Sequence, residues 1–182
     1  MSEVYLTFEN PPPPGTFSFP GNAASITHKA SQKTIRISST TVQGVTRLNT
    51  FSGYNFYIKA KVIFAEDPSV RKHFGFWVTQ PNSDRTGYRF CHLDSAWNAS
   101  HWYSDSSERL PSPTALGSND GSKDPDGKTV PSTSLGSEYI LELSMRSLLR
   151  YGEGSAFARE FVFKANGVIV ARAYDTGTPY KE

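Results

Sequence analysis

The chain has 182 residues, of which 37% are hydrophobic, 13% aromatic and 20% charged, and its net charge is +2. That length suits one well-buried domain, and the aromatic content excludes general disorder. With 19 basic side chains balanced by 17 acidic ones, the chain lacks the concentrated basic footprint of a nucleic-acid binder.

No apolar run approaches the roughly 18 residues of a spanning helix, and the opening MSEVYLTFENPPPPGTF has no basic flank before an apolar stretch. Neither a membrane nor nucleic acid is therefore an expected partner. A cytoplasmic chain is expected, with a processed secreted chain as the alternative. Cys91 is the only cysteine, which excludes an internal disulfide and a multi-cysteine metal site.

Residues 1–23 read as an N-terminal arm. Within it, 4–8 (VYLTF) suit a short edge strand able to pair with a second copy of the chain. Pro11, Pro12, Pro13 and Pro14 form a stiff approach that would stop such pairing from extending. One β-domain is expected over 24–182. In KTIRISST, Ile35 and Ile37 alternate with Arg36 at the period of a strand. The clearest strand is YNFYIKAKVIFAED, where Phe56, Ile58, Ala60, Val62 and Phe64 define an inward face and Lys59 and Lys61 the opposite one.

HFGFWVTQ reads as the next strand. YRFCHLD then sets Tyr88, Phe90 and His92 against Arg89, Cys91 and Leu93, with either set able to face inward. Residues 95–137, rich in Ser, Gly and Pro, read as a long loop insertion. Regular structure resumes in YILELSMRSLL, with a short helix competing. AREFVFKANGVIVARAYD reads as a hairpin turning at Asn166-Gly167. Strands never alternate with long helices, so the pattern predicts an all-β fold: an antiparallel, jelly-roll-like β-sandwich with a long central loop.

EYILELSMRS followed by FVFKANGVIVARAYD resembles the terminal strands and hairpin of concanavalin-like or laminin-G-like jelly rolls. YNFYIKAKVIF, HFGFWVTQ and GYRFCHLD fit the same architecture, so the resemblance spans about two-thirds of the chain as strand order. It implies a fold that serves glycan-binding modules and polysaccharide-processing enzymes alike, and it does not choose between them.

Candidate chemistry concentrates in RFCHLDSAWNASHWYSD. Trp97, Trp102 and Tyr103 offer flat surfaces for sugar rings, Asp94, Asn98, His101 and Asp105 offer hydrogen bonds, and Arg89 a directional donor. The competing reading makes the same aromatics a packed cluster beneath the loop. His92, Asp94 and His101 supply the ligand types of a two-histidine, one-carboxylate metal site. Asp120, Asp124 and Asp126, in NDGSKDPDG, supply oxygens for calcium, although Lys123 interrupts them and the terminal glutamate of an EF-hand is missing. No cofactor is favoured.

Enzyme chemistry would draw on Glu108 with Asp105, on Glu142 and Glu160, or on His101 or Tyr103 as a base beside Arg89. Cys91 and His92 are strand neighbours that point to opposite faces, and Ser144 has no GxSxG elbow around it. The expected function is a noncatalytic carbohydrate-binding or lectin-like module whose partner is a glycan or polar small molecule. One alternative is a glycan hydrolase, lyase or small-molecule isomerase. Another is a structural oligomerisation domain forming homo-oligomers.

Overall fold

Period-two patterning dominates, and among the described residues every regular element except one 3-10 turn is a strand. The computed structural model describes residues 8–14, 17–18, 24–39, 47–48, 55–63, 74–79, 87–93, 95–102, 108–109, 116–148 and 158–175. It divides into two compact units, Met1–Ser52 and Gly53–Glu182. Residues 4–7 and Phe64, to which the sequence assigns a pairing strand and a core position, lie outside the described residues.

The first unit contains β1 (Phe17–Ser18), β2 (Ala24–Lys29), β3 (Thr34–Ser39) and β4 (Arg47–Leu48). β1 pairs with β4 and β2 with β3, both antiparallel. The β2–β3 hairpin turns through Ala30–Gln32 and closes at Lys33, whose N–H donates to Ala30 O at 3.2 Å. Two contacts tie the segment around Phe8 to this hairpin. His28 Nε2 lies 2.8 Å from Phe8 O, and Lys33 Nζ pairs with Glu9 Oε1 at 2.9 Å.

The second unit contains β5 (Phe56–Ile63), β6 (Phe74–Thr79), β7 (Gly87–Leu93), β8 (Ala96–Trp102), β9 (Glu108–Arg109), β10 (Leu116–Asn119), β11 (Glu138–Leu148), β12 (Ala158–Ala165) and β13 (Val168–Asp175). They form a nine-stranded sheet of order β5-β11-β12-β13-β10-β8-β7-β6, with β9 on β8. All pairings are antiparallel.

The sheet folds over at β10. Leu116 and Gly117 pair with Arg172 and Ala171 of β13, whereas Ser118 and Asn119 pair with Trp97 and Ala96 of β8. A strand that changes partner in this way makes the corner between two packed layers. The corner is tight: a Cβ on Gly117 would come within 2.0 Å of Trp97 O, so only glycine fits. Folding brings β7 and β8 against β12, where Phe90 meets Phe161 at 5.1 Å between ring centroids and Trp97 meets Phe163 at 5.6 Å. The result is an antiparallel, all-β curled sandwich with jelly-roll-like character, as the strand pattern predicts.

Strand alternation carries this core directly. Phe56, Leu141, Leu143, Met145, Phe161, Phe163, Ala171 and Ala173 are all buried within it, and Ile58 and Val62 pack against it. Lys59 and Lys61 take the exposed positions of β5. β11 is a strand paired on both sides, so the competing helix over YILELSMRSLL is not formed. Asn166 (φ 51°) and Gly167 (φ 77°) make the two-residue turn with both dihedrals positive.

One expectation changes. Residues 95–137, read as a loop, contain β8, β9 and β10. Their Ala, Ser, Asn and Gly residues have weak strand propensity, but the pairing partners β7 and β13 supply what local preference does not. Trp97 and Ala99 still alternate inward, with Asn98 between them less buried.

Candidate functional site

The residues singled out between 89 and 108 separate in space. Trp97 has no exposed surface. It stands edge-on to His92, Tyr139 and Phe163, and its indole N–H donates to Pro131 O at 3.1 Å. A ring so enclosed presents no face to a sugar. Asn98 spends its amide locally, donating to Ala96 O at 3.0 Å. Arg89 and Cys91 are buried at positions alternate to the core residues Tyr88 and Phe90. Backbone pairing sets His101 opposite Tyr88 and Arg109, and Trp102 opposite Gly87 and Glu108. Asp94, Tyr103 and Asp105 lie outside the described residues.

His92 is nearly fully buried and belongs to a different group. Its Nε2 lies 3.0 Å from Asp120 Oδ1 and 3.1 Å from Thr133 Oγ1, which is also 3.5 Å from Nδ1, while Thr133 N donates to Asp120 Oδ2 at 3.0 Å. A proton relay needs carboxylate and hydroxyl on opposite ring nitrogens. Here Asp120 Oδ1 and Thr133 Oγ1 both lie closest to Nε2, and Thr133 O–H also reaches Asp120 Oδ2 at 3.4 Å, so the three side chains tie residues 120 and 133 to β7. His92 is also four rungs from the residue facing His101, about 13 Å along the strands. The two histidines are thus not brought to one metal centre.

The aspartates of NDGSKDPDG are likewise used internally. Asp124 Oδ1 accepts the N–H groups of Asp126 at 2.9 Å and Lys128 at 2.7 Å, and its Oδ2 accepts Ile169 N–H at 3.3 Å. Burial alone would raise this carboxyl, yet those backbone donors and the Lys128 charge hold it below its ordinary value. The Ile169 contact has a cause in the sheet. A bulge shifts the β12–β13 register after Phe163, β10 has already left β13 for β8, and Asp124 supplies the acceptor that the ladder lacks. Asp126 is exposed, and Asp120 serves His92 and Thr133. Among the described residues no three His, Cys, Asp or Glu side chains converge to hold a metal ion.

The outer face of β5, β11, β12 and β13 presents the open chemistry. Register places Tyr57 opposite Ser144, Lys59 opposite Glu142, and Glu142 opposite Lys164. The exposed Tyr57 hydroxyl donates to Glu142 Oε1 at 2.5 Å, and Lys59 Nζ lies 3.5 Å from the same oxygen. The hydrogen bond to Glu142 pushes the Tyr57 phenol up to about 12, helped by partial burial and the carboxylate charge. Glu142 is held below its ordinary value mainly by that bond; partial burial opposes the shift, and Lys59 and Lys164 reinforce it.

Four rungs along the same strands, Glu160 accepts hydrogen bonds from Arg146 Nε–H and, at 3.0 Å, from Tyr174 O–H, with Arg172 Nε 3.8 Å away. Burial would raise Glu160, but these partners outweigh it and keep the carboxylate ionised below its ordinary range. Glu142 faces Lys164 while Glu160 faces Arg146, which separates the two carboxylates by about 13 Å along the strands. Glycosidic cleavage uses pairs roughly 5–10 Å apart. Both acids are ionised acceptors rather than proton donors; Glu142 is partly exposed and can meet a hydroxyl group, whereas Glu160 is buried and engaged by Arg146 and Tyr174.

Against this geometry, no protein-family model, curated protein or solved structure matches the chain.

Sequence reasoning missed Tyr57, Lys164, Arg172 and Tyr174. The alternation of YIKAK already sets Tyr57 on the lysine face of β5. Alternation around Phe161 and Phe163 likewise sets Glu160 and Lys164 outward. Only the strand order, however, shows that these positions are neighbours.

Proposed function

We propose that the unit Gly53–Glu182 is a noncatalytic carbohydrate-binding module whose ligand lies across the open face of β5, β11, β12 and β13. The observation that carries this reading is the exposed Tyr57 ring, fixed by its 2.5 Å hydrogen bond to Glu142. A ring held by a neighbouring carboxylate loses little conformational freedom on binding, which favours affinity. Tyr57 and Lys59 both contact Glu142 through Oε1, leaving Oε2 as an acceptor for a sugar hydroxyl.

Four adjacent strands give a platform about 14 Å wide, enough for several sugar rings, and Tyr174 supplies a second phenol at its far side. The ionised state of Glu142 and Glu160 supports binding over acid catalysis. The test is a glycan array followed by calorimetry on the full chain. Tyr57→Ala is expected to weaken binding about tenfold, the loss of one central aromatic contact, with thermal melting used to show that the variant is still folded at the assay temperature. Retention of wild-type affinity by that variant, or no binding to any glycan on the array, would refute the proposal.

A further inference from the structure

Two carboxylates on this face are each flanked by two cations, Glu142 by Lys59 and Lys164, and Glu160 by Arg146 and Arg172, while the third, Glu138, pairs with Lys61 alone among the described residues. One carboxylate neutralises one cation, so each cluster keeps a positive surplus. The surplus is located on the β12–β13 side. Lys59 is 3.5 Å from Glu142, whereas Lys164 forms no ion pair among the described residues and acts on Glu142 only at longer range. Arg146 takes the hydrogen bond to Glu160, whereas Arg172, about a third exposed (36%), stands 3.8 Å from the same carboxylate and its Nε makes no hydrogen bond. A guanidinium that shares its carboxylate with a second arginine keeps N–H donors for a further anion.

Lys164 and Arg172 are diagonal neighbours. Val162 pairs with Arg172, and Lys164 lies two residues further along β12 on the same face. Diagonal positions of adjacent strands are roughly 7–8 Å apart, a span that one carboxylate or sulfate group can bridge between two long cationic side chains. Val162, half-buried between them, gives an apolar floor.

We infer that Lys164 and Arg172 form an anion subsite, and that the glycan taken by this face is acidic, carrying uronate carboxylates or sulfate esters. This inference rests on the carbohydrate-binding reading and specifies its ligand. Sugar rings cross Tyr57 and Glu142 on the β5–β11 side while an acidic substituent sits over Val162. The surplus charge draws in the polymer, and the Tyr57–Glu142 contact supplies hydroxyl recognition that a bare polyanion lacks.

The experiment titrates the full chain with polygalacturonate, alginate and hyaluronan, with their carboxyl-reduced counterparts, and with single-stranded poly(dT). At least one acidic polymer is expected to bind about tenfold more tightly than its reduced form, and to weaken as salt rises from about 0.05 to about 0.5 M. Lys164→Gln and Arg172→Gln should each erase most of that preference, lowering affinity for the acidic polymer far more than for its reduced form. Thermal melting confirms folding, and Lys164→Gln decides alone if the Arg172 variant is unstable. Equal affinity for acidic and reduced polymers would overturn the acidic-ligand inference and leave carbohydrate binding standing. Poly(dT) binding as tightly as the acidic glycan would also overturn it, by showing attraction of any polyanion. Absence of binding to every glycan would remove both proposals.

Discussion

Trp97 donates its indole N–H to the Pro131 carbonyl at 3.1 Å and has no exposed surface. That one bond joins β8 to the segment leading into β11, with Tyr139 reinforcing it by donating to Ser132 O at 2.8 Å. Trp97→Phe keeps an aromatic ring but strands the Pro131 carbonyl, and is expected to cost about 2 kcal/mol. Trp97→Ala should cost about 3–5 kcal/mol through the cavity it opens. Urea unfolding measures both. A loss of glycan binding by Trp97→Phe at unchanged stability would contradict the packing role.

The hairpin turn at Asn166-Gly167 carries a second prediction. A Cβ at Gly167 meets nothing within 4 Å, so any cost of Gly167→Ala comes from its φ of 77° rather than from crowding. That cost is roughly 1–2 kcal/mol. Asn166→Gly, by contrast, keeps the turn conformation and removes only the Oδ1 acceptor of Ile140 N–H, a bond of 2.8 Å at an exposed position. It should destabilise by about 0.5 kcal/mol or less. The urea midpoints of the two variants should therefore rank in that order.

These contrasts show what could be read from the sequence. The β5 and β11–β13 core was legible because Phe, Leu, Val and Lys alternate there without interruption, and Asn-Gly announces its turn. β8 and β10 were not, because Ala, Ser, Asn and Gly carry little local signal and become strands through neighbours distant in sequence. The candidate site failed for a related reason. Trp97 and His92 attract attention by residue type, yet both are buried by the fold at β10. Tyr57, Lys164 and Arg172 are individually ordinary and become a surface only when β5, β11, β12 and β13 are set side by side.

Glu160 predicts the acid limb of stability. Its carboxyl lies below the ordinary value in the folded chain, so the unfolded chain takes up its proton first as pH falls. Its contribution is complete above the unfolded value of about 4.3 and is lost as pH drops through the lower folded value. Glu142 and Asp124 are shifted in the same direction and share this limb. Glu160→Gln should lower stability at pH 7 by about 2 kcal/mol, since it removes a charged acceptor from Arg146 and Tyr174. It should also make the curve between about pH 5 and 2 shallower without flattening it. Urea unfolding at a series of pH values gives both quantities.

Tyr57 makes the corresponding prediction on the alkaline side and links it to binding. Its phenol is raised to about 12 by the Glu142 carboxylate, so the folded chain holds that proton after the unfolded chain has lost it. The stabilising contribution is fully present below the unfolded value of about 10 and disappears as pH rises through the folded one. Glu142→Gln removes the negative charge that opposes phenolate formation, and should return the Tyr57 transition in the ultraviolet spectrum toward the ordinary tyrosine range. Tyr57→Phe should delete it. Between about pH 5 and 9 neither group changes charge, since one sits below its ordinary value and the other above. Affinity for a neutral glycan should therefore be flat across that interval and fall only in acid, as Glu142 protonates and stops accepting. A midpoint near pH 6.5, the range of histidine, would assign ligand contact to a different part of the surface.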